Sequence, residues 1–195
     1  MKLYLLRHGK TVANERNEYC GFTDSPLSQA GKEELLQLKE QYDYTVCENT
    51  VFYTSGLTRT EETLQLLLGD VPHIPQADFK EMNFGIFEGK TYEELKELPA
   101  YQTWITGDNE ANVCPGGESG NQQTARVCRA VDRLIDRGEN ALLVSHGGTT
   151  TAIMQHLFPG EGKNRYQWKP EGGRGYRITI ENGSLTYEPF PKEKQ

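Results

Sequence analysis

The sequence predicts one α/β domain on a mostly parallel sheet with an antiparallel edge. Two short apolar runs, residues 3–6 and 141–144, each end abruptly in His-Gly, as buried strands do when they feed a functional turn. Helix-capping signals and apolar residues at helical spacing lie between those runs. Asn182-Gly183 sits between two strand-like stretches, a strong signal for a two-residue hairpin and hence for the antiparallel edge.

The bulk properties narrow the class. A chain of 195 residues can bury a substantial core. A net charge of −7 argues against a nucleic-acid partner and makes any cationic pocket more telling. Cys20, Cys47, Cys114 and Cys128 show neither CxxC nor zinc spacing, so reduced thiols in a cytoplasmic protein are expected. No run approaches the roughly 20 apolar residues of a membrane span. Met1-Lys2 leads straight into the first strand, which leaves no room for a cleaved signal peptide. The Lys/Glu-rich tail after Pro191 reads as frayed.

The first strand, Leu3 to Leu6, delivers Arg7-His8-Gly9 at its carboxyl end, where open α/β sheets bind ligands. Arg7 offers a fork of donors for phosphate or carboxylate, and His8 can act as nucleophile or acid/base near neutral pH. A polar loop to Pro26 carries Thr11, Asn14, Gly21 and Asp24. Asn14 can be read as an ordinary turn residue or as a ligand contact. Ser28 is the expected N-cap of a helix to about Tyr42, with Leu35 and Leu38 on its inner face. Thr50 to Ser55 is the next strand. Thr58 and Glu61 then suggest a capping box that places Arg59 at the first helical position. A cation there makes sense if it and the free helix N–H groups share a bound anion.

Residues 71–79 read as a loop and short strand, with His73 structural or exposed. Glu81 and Glu88 invite a general-acid assignment, which requires a carboxyl kept protonated by burial or by nearby negative charge. Thr91 to Glu94 is a second capping box, opening a short helix to about Leu98. The stretch from Pro99 to Gly117 reads as irregular. Its Tyr101 and Trp104 either line the pocket or pack a cover onto the domain. Ser119 and Gln122 cap a long helix to Arg137, with Val127, Val131 and Leu134 inward and Arg126, Arg129 and Arg133 on a solvated face. Ala141 to Val144 then delivers Ser145-His146-Gly147 into a further helix, within which His156 is structural.

Arg7-His8-Gly9-x-Thr11-x-x-Asn14, Gly21 to Ser28, Ser55 to Thr60, Glu81 to Gly89 and Ser145-His146-Gly147 follow one another in an order that resembles the histidine phosphatase (phosphoglycerate mutase-like) superfamily across nearly the whole chain. The resemblance implies a three-layer αβα sandwich with a small cap, about residues 82–118, over the site. It implies that His8 is the nucleophile and Glu81 the proton donor, while Arg7, Asn14, Gly21, Arg59, His146 and Gly147 bind the substrate phosphate. Glu88 is left as a scaffold residue. Lys10 stands where many relatives have Glu, a peripheral change. No metal or other cofactor is implied, and the expected partner is a small phosphate monoester bound by a monomer or homodimer. The chain lacks the longer insertion and Arg-rich pattern of the glycolytic mutases after Glu81, which favours hydrolysis. The Glu81 to Gly89 segment and the compact length resemble α-ribazole-5′-phosphate phosphatases and, almost equally, broad-specificity small phosphatases. An inactive binding module is disfavoured because all five reactive positions are filled.

Overall fold

Alternation along one strand organises the molecule. In β1 (Lys2–Arg7), Leu3 and Leu5 face one side of the sheet while Tyr4 and Leu6 face the other, and all four are buried. A strand covered on both faces must be apolar at every position, which is why the run reads as continuous. The computed structural model describes residues 1–108 and 110–194.

In chain order the elements are β1, α1 (Val12–Glu15), α2 (Gln29–Gln41), β2 (Tyr42–Asp43), β3 (Val51–Thr54), α3 (Thr58–Leu68), β4 (His73–Pro75), α4 (Tyr92–Leu95) and α5 (Pro99–Ile105). They continue as α6 (Gly120–Arg137), β5 (Ala141–Ser145), α7 (Gly147–Leu157), α8 (Arg165–Trp168), β6 (Gly175–Glu181), β7 (Ser184–Phe190) and β8 (Lys192–Glu193). Six strands form one sheet in the order β4-β3-β5-β1-β6-β7. β1, β3, β4 and β5 are parallel, with Leu3 opposite Ala141 and Arg7 opposite Ser145. β6 runs against β1, and β7 returns beside it through Asn182-Gly183, both at positive φ. The expected antiparallel edge is therefore this hairpin.

Helices cover both faces. Leu3, Leu5 and Leu143 pack with Val127 and Val131 of α6 and Ile153 of α7. Tyr4, Leu6, Leu142 and Val144 pack with Leu35 of α2 and Leu64 and Leu67 of α3. Each buried leucine contributes about 2 kcal/mol relative to exposure. A third, separate cluster joins Met82, Phe87, Leu95, Tyr101, Trp104 and Cys114, the segment expected to form a cap.

Four local expectations need correction. α3 starts after Leu57, so Arg59 is its second residue, and no capping box forms. Glu61 instead accepts from Thr54 Oγ1 and pairs with His73, and Asp24 caps the helix from outside through Thr58 N (2.8 Å) and Thr58 Oγ1 (2.7 Å). The stretch after Leu98 is not irregular throughout: Pro99 opens α5 at a position where its missing N–H costs nothing. Residue 109 in that stretch lies outside the described residues. Arg126 does not belong to a solvated stripe; it reaches under the segment before Glu81, while Arg129 and Arg133 stay exposed. The tail is not frayed up to residue 194, since β8 pairs with β2 and Lys194 N donates to Gln41 O. The four cysteines are free, and no helix among the described residues is long and apolar enough to cross a membrane.

Candidate active site

Parallel strands deliver their carboxyl ends to one edge of the sheet. Arg7 and His8 leave β1, Ser55 and Arg59 follow β3, and His146 and Gly147 follow β5. Because Arg7 pairs with Ser145 and Thr54 with Val144, these turns sit at one level. The line where such strands end is where α/β sheets hold ligands.

His8 is 6% exposed, and its Nδ1 lies 2.6 Å from Gly9 O. A carbonyl only accepts, so the proton is on Nδ1 and Nε2 keeps a free lone pair. Burial, followed by the charge of Arg59, pushes the imidazole pKa down to about 3 against the opposing pull of the Gly9 carbonyl. His8 is thus uncharged and nucleophilic at neutral pH. Its ring lies edge-on to that of His146, with centroids 5.0 Å apart.

Arg59 is 1% exposed. Its Nη2 donates to Gly21 O (2.6 Å), Nη1 to Thr23 O (2.9 Å) and Nε to His146 Nδ1 (3.3 Å). A guanidinium has five donors, so one N–H on each terminal nitrogen stays available. Gly21 is required for this hold: a Cβ there would stand 1.7 Å from Met82 O. What the structure shows for Gly21 is close packing and the orientation of Arg59.

His146 is fully buried, and its pKa lies well below the usual histidine value, first through burial and then through Arg59. Nδ1 accepts from Arg59, so Nε2 carries the proton and donates to Ser55 Oγ at 2.9 Å. Both ring nitrogens are engaged within the protein. To contact a phosphoryl oxygen, Nδ1 would have to take up a proton and part from Arg59. Arg7 donates from Nη1 to Pro170 O (2.9 Å), while its buried Nε has no partner. Gly147, the first residue of α7, backs onto Arg7 and Lys169. Asn14 closes the capping box of α1 through Thr11 and lines the same cavity, about 610 Å³, as Arg7 and His8.

Glu81 lies near enough for its charge to be felt by Arg7 and Arg59. Its Oε1 accepts from Met82 N (3.0 Å) and Gln123 Nε2 (2.6 Å), and its Oε2 from Gly148 N (2.8 Å). It borders a second cavity of about 680 Å³ with Lys169, Tyr19, Phe84 and Trp104. Tyr101 is fully buried against Phe87 and Trp104, so it packs the cap; Trp104 both packs and lines the cavity. Glu88 is a scaffold, accepting from the backbone N–H groups of Phe22, Thr23 and Phe84.

Four residues of this site carried no site role from sequence, and one of them, Arg126, was expected on a solvated face. Ser55 fixes the His146 tautomer. Arg126 donates to the carbonyls of Asp78, Lys80 and Glu81 and pairs with Glu118. Lys169 lines the Glu81 cavity, its ammonium destabilised by burial and by the charge of Arg7. Gln123 had a signal: it is a polar residue in register with Val127, Val131 and Leu134 on the inner face of α6. Lys169 had none.

Buried cations around an uncharged imidazole, with a carboxylate whose charge reaches both arginines, make a site suited to the phosphoryl dianion, within an α/β fold. The chain belongs to the histidine phosphatase superfamily, branch 1, whose family model matches residues 3–188. It is 29% identical over 95% of its length to 94% of an adenosylcobalamin/α-ribazole phosphatase of Salmonella typhimurium. It is 32% identical over 80% of its length to 74% of a 2,3-bisphosphoglycerate-dependent phosphoglycerate mutase of Gloeobacter violaceus. Among solved structures, the α-ribazole phosphatase of Shigella flexneri superposes with a TM-score of 0.82 at 28% identity, covering 96% of this chain and 95% of that one. The fold is that of a histidine phosphatase, and the enzyme is a phosphoric monoester hydrolase.

Proposed function

We propose that the enzyme hydrolyses a small phosphate monoester through a phosphohistidine on His8, without a metal, and that α-ribazole 5′-phosphate is its first candidate substrate. The observation that carries the mechanism is the 2.6 Å contact from His8 Nδ1 to Gly9 O, which leaves Nε2 unprotonated. Nε2 attacks phosphorus in line as the bond to the leaving oxygen breaks. Glu81 gives that oxygen its proton. Water then attacks phosphorus, the P–N bond breaks, and Glu81 takes the water's proton. Arg7 and Arg59 hold the phosphoryl oxygens, Asn14 orients them, and the N–H of Gly147 at the start of α7 adds to the cradle. The substrate assignment draws on the names of the Salmonella and Shigella relatives and on the aromatic wall of Tyr19, Phe84 and Trp104, which suits a flat leaving group.

The test is kcat/KM for α-ribazole 5′-phosphate beside p-nitrophenyl phosphate and 3-phosphoglycerate, with chelator present. A preference of about a hundredfold, or ~2.7 kcal/mol, is the expected outcome for a dedicated enzyme. Equal rates on all three would replace this reading with a broad-specificity phosphatase. Quenching with radiolabelled substrate should trap an acid-labile phosphoenzyme that His8→Ala lacks. Activity lost to chelation would overturn the metal-free mechanism.

A further inference from the structure

We propose that Gln123 is a positioning residue for Glu81, reserving Oε2 as the carboxyl oxygen that carries the transferred proton. The inference rests on Glu81 being the acid. A carboxyl oxygen has two in-plane lone pairs. On Oε1 both are occupied, by Met82 N at 3.0 Å and Gln123 Nε2 at 2.6 Å. A proton on Oε1 would point at two N–H donors. Among the described residues Oε2 accepts only Gly148 N, at 2.8 Å, which leaves it one lone pair. Gly148 is the second residue of α7, next to the His146-Gly147 turn that backs onto Arg7. The open position is therefore on the oxygen bonded to the phosphate-facing turn.

A second observation concerns what Gln123 gives up. It is fully buried, and its Oε1 has no partner among the described residues. A buried amide oxygen left unpaired lowers stability and calls for an explanation. The positions that follow it on the inner face of α6, Val127, Val131 and Leu134, are apolar, so a methionine or leucine would pack at 123 without that loss. The carboxamide is explained by its bond to Glu81. Arg126, three residues on, holds the backbone carbonyl of the same glutamate, so α6 grips residue 81 at side chain and main chain.

The role fits both half-reactions. Glu81 Oε2–H passes its proton to the leaving oxygen as the P–O bond breaks. Oε2 later takes a proton from water as the P–N bond breaks. Oε1 remains an acceptor throughout, so the carboxyl need not rotate between the steps.

The experiment compares Gln123→Met, Gln123→Leu and Glu81→Gln on β-glycerophosphate, a poor leaving group, and on p-nitrophenyl phosphate, a good one, with Tm measured for each. Gln123→Met is expected to lower kcat/KM on β-glycerophosphate, which reports the leaving-group step and not the later hydrolysis common to both esters, about tenfold or more, with kcat/KM on p-nitrophenyl phosphate within about twofold and Tm not lowered. Gln123→Leu serves the same comparison if the methionine variant does not fold. Equal losses on the two esters with a lower Tm would make Gln123 merely structural and overturn the proposal, as would no loss on either. If Glu81→Gln shows the leaving-group dependence and neither Gln123 variant does, this inference fails alone. If Glu81→Gln slows both esters equally, the acid assignment itself fails.

Discussion

Arg59 Nε donates to His146 Nδ1 at 3.3 Å, and that contact decides the state of both side chains. It keeps Nδ1 unprotonated, so the imidazole proton stays on Nε2 and is donated to Ser55 Oγ, while Gly21 O and Thr23 O fix the guanidinium plane. Two buried groups that would otherwise compete for protons are thereby held as one fixed cation and one neutral ring.

Arg59→Lys therefore removes more than position. A lysine keeps the charge but cannot hold Gly21 O, Thr23 O and His146 together in one plane. The expected loss in kcat/KM is about a hundredfold on every substrate, ~2.7 kcal/mol. Steady-state kinetics on an alkyl and an aryl phosphate check this, and a loss confined to one of them would contradict it.

Acid should destabilise the fold through its buried imidazoles. The unfolded chain protonates His8 near its ordinary value of 6.5, whereas the folded state does so only at about 3. Between those values the unfolded state binds more protons, so stability rises with pH there and is lost as pH falls below 6.5. His8 alone contributes a slope of up to about 1.4 kcal/mol per pH unit, and His146, also depressed, adds to it. Denaturant midpoints measured between about pH 7 and 4 in phosphate-free buffer should show this, with a shallower slope in His8→Asn. Phosphate is left out because it would bind the native state alone.

Gly21→Ala should act on the site through packing. The added carbon would overlap Met82 O, so the loop holding Arg59 must move away from the segment holding Glu81. A drop of several degrees in Tm with at least a tenfold fall in kcat is expected, on the order of 1–3 kcal/mol of overpacking. Unchanged kinetics would show that the Arg59 hold does not depend on this approach.

Lys169→Met tests a residue with no sequence signal. Its side chain packs on Gly147, and its charge is felt by His8. Loss of this cation should raise KM for phosphate esters roughly three- to tenfold while leaving the fold intact, as expected for a partly solvated charge facing a dianion. A salt series checks it: the wild-type advantage should shrink as ionic strength rises.

Much of the fold was legible because short buried strands stop abruptly at the edge where the candidate site lies. Leu3 to Leu6 and Ala141 to Val144 announce themselves by continuous apolarity, and the residues after them follow by adjacency. The hairpin was legible because Asn182-Gly183 encodes its own turn. Arg126 and Lys169 were not, because each acts on a partner far along the chain, and helical spacing cannot distinguish a solvated arginine from one that another segment folds over; Gln123 carried a signal in its inward register, but that signal does not name its partner. The cap of α3 failed for the same reason: Glu61 had a closer partner in the neighbouring strand, and Asp24 arrived from a distant loop.

Glu88 ties Phe22 and Thr23 to Phe84 through three backbone N–H groups. The first two belong to the loop whose carbonyls clamp Arg59, and the third follows Glu81 by three residues. The loop that clamps Arg59 and the segment that carries Glu81 therefore share one mounting, so a substitution at Glu88 reaches both at once.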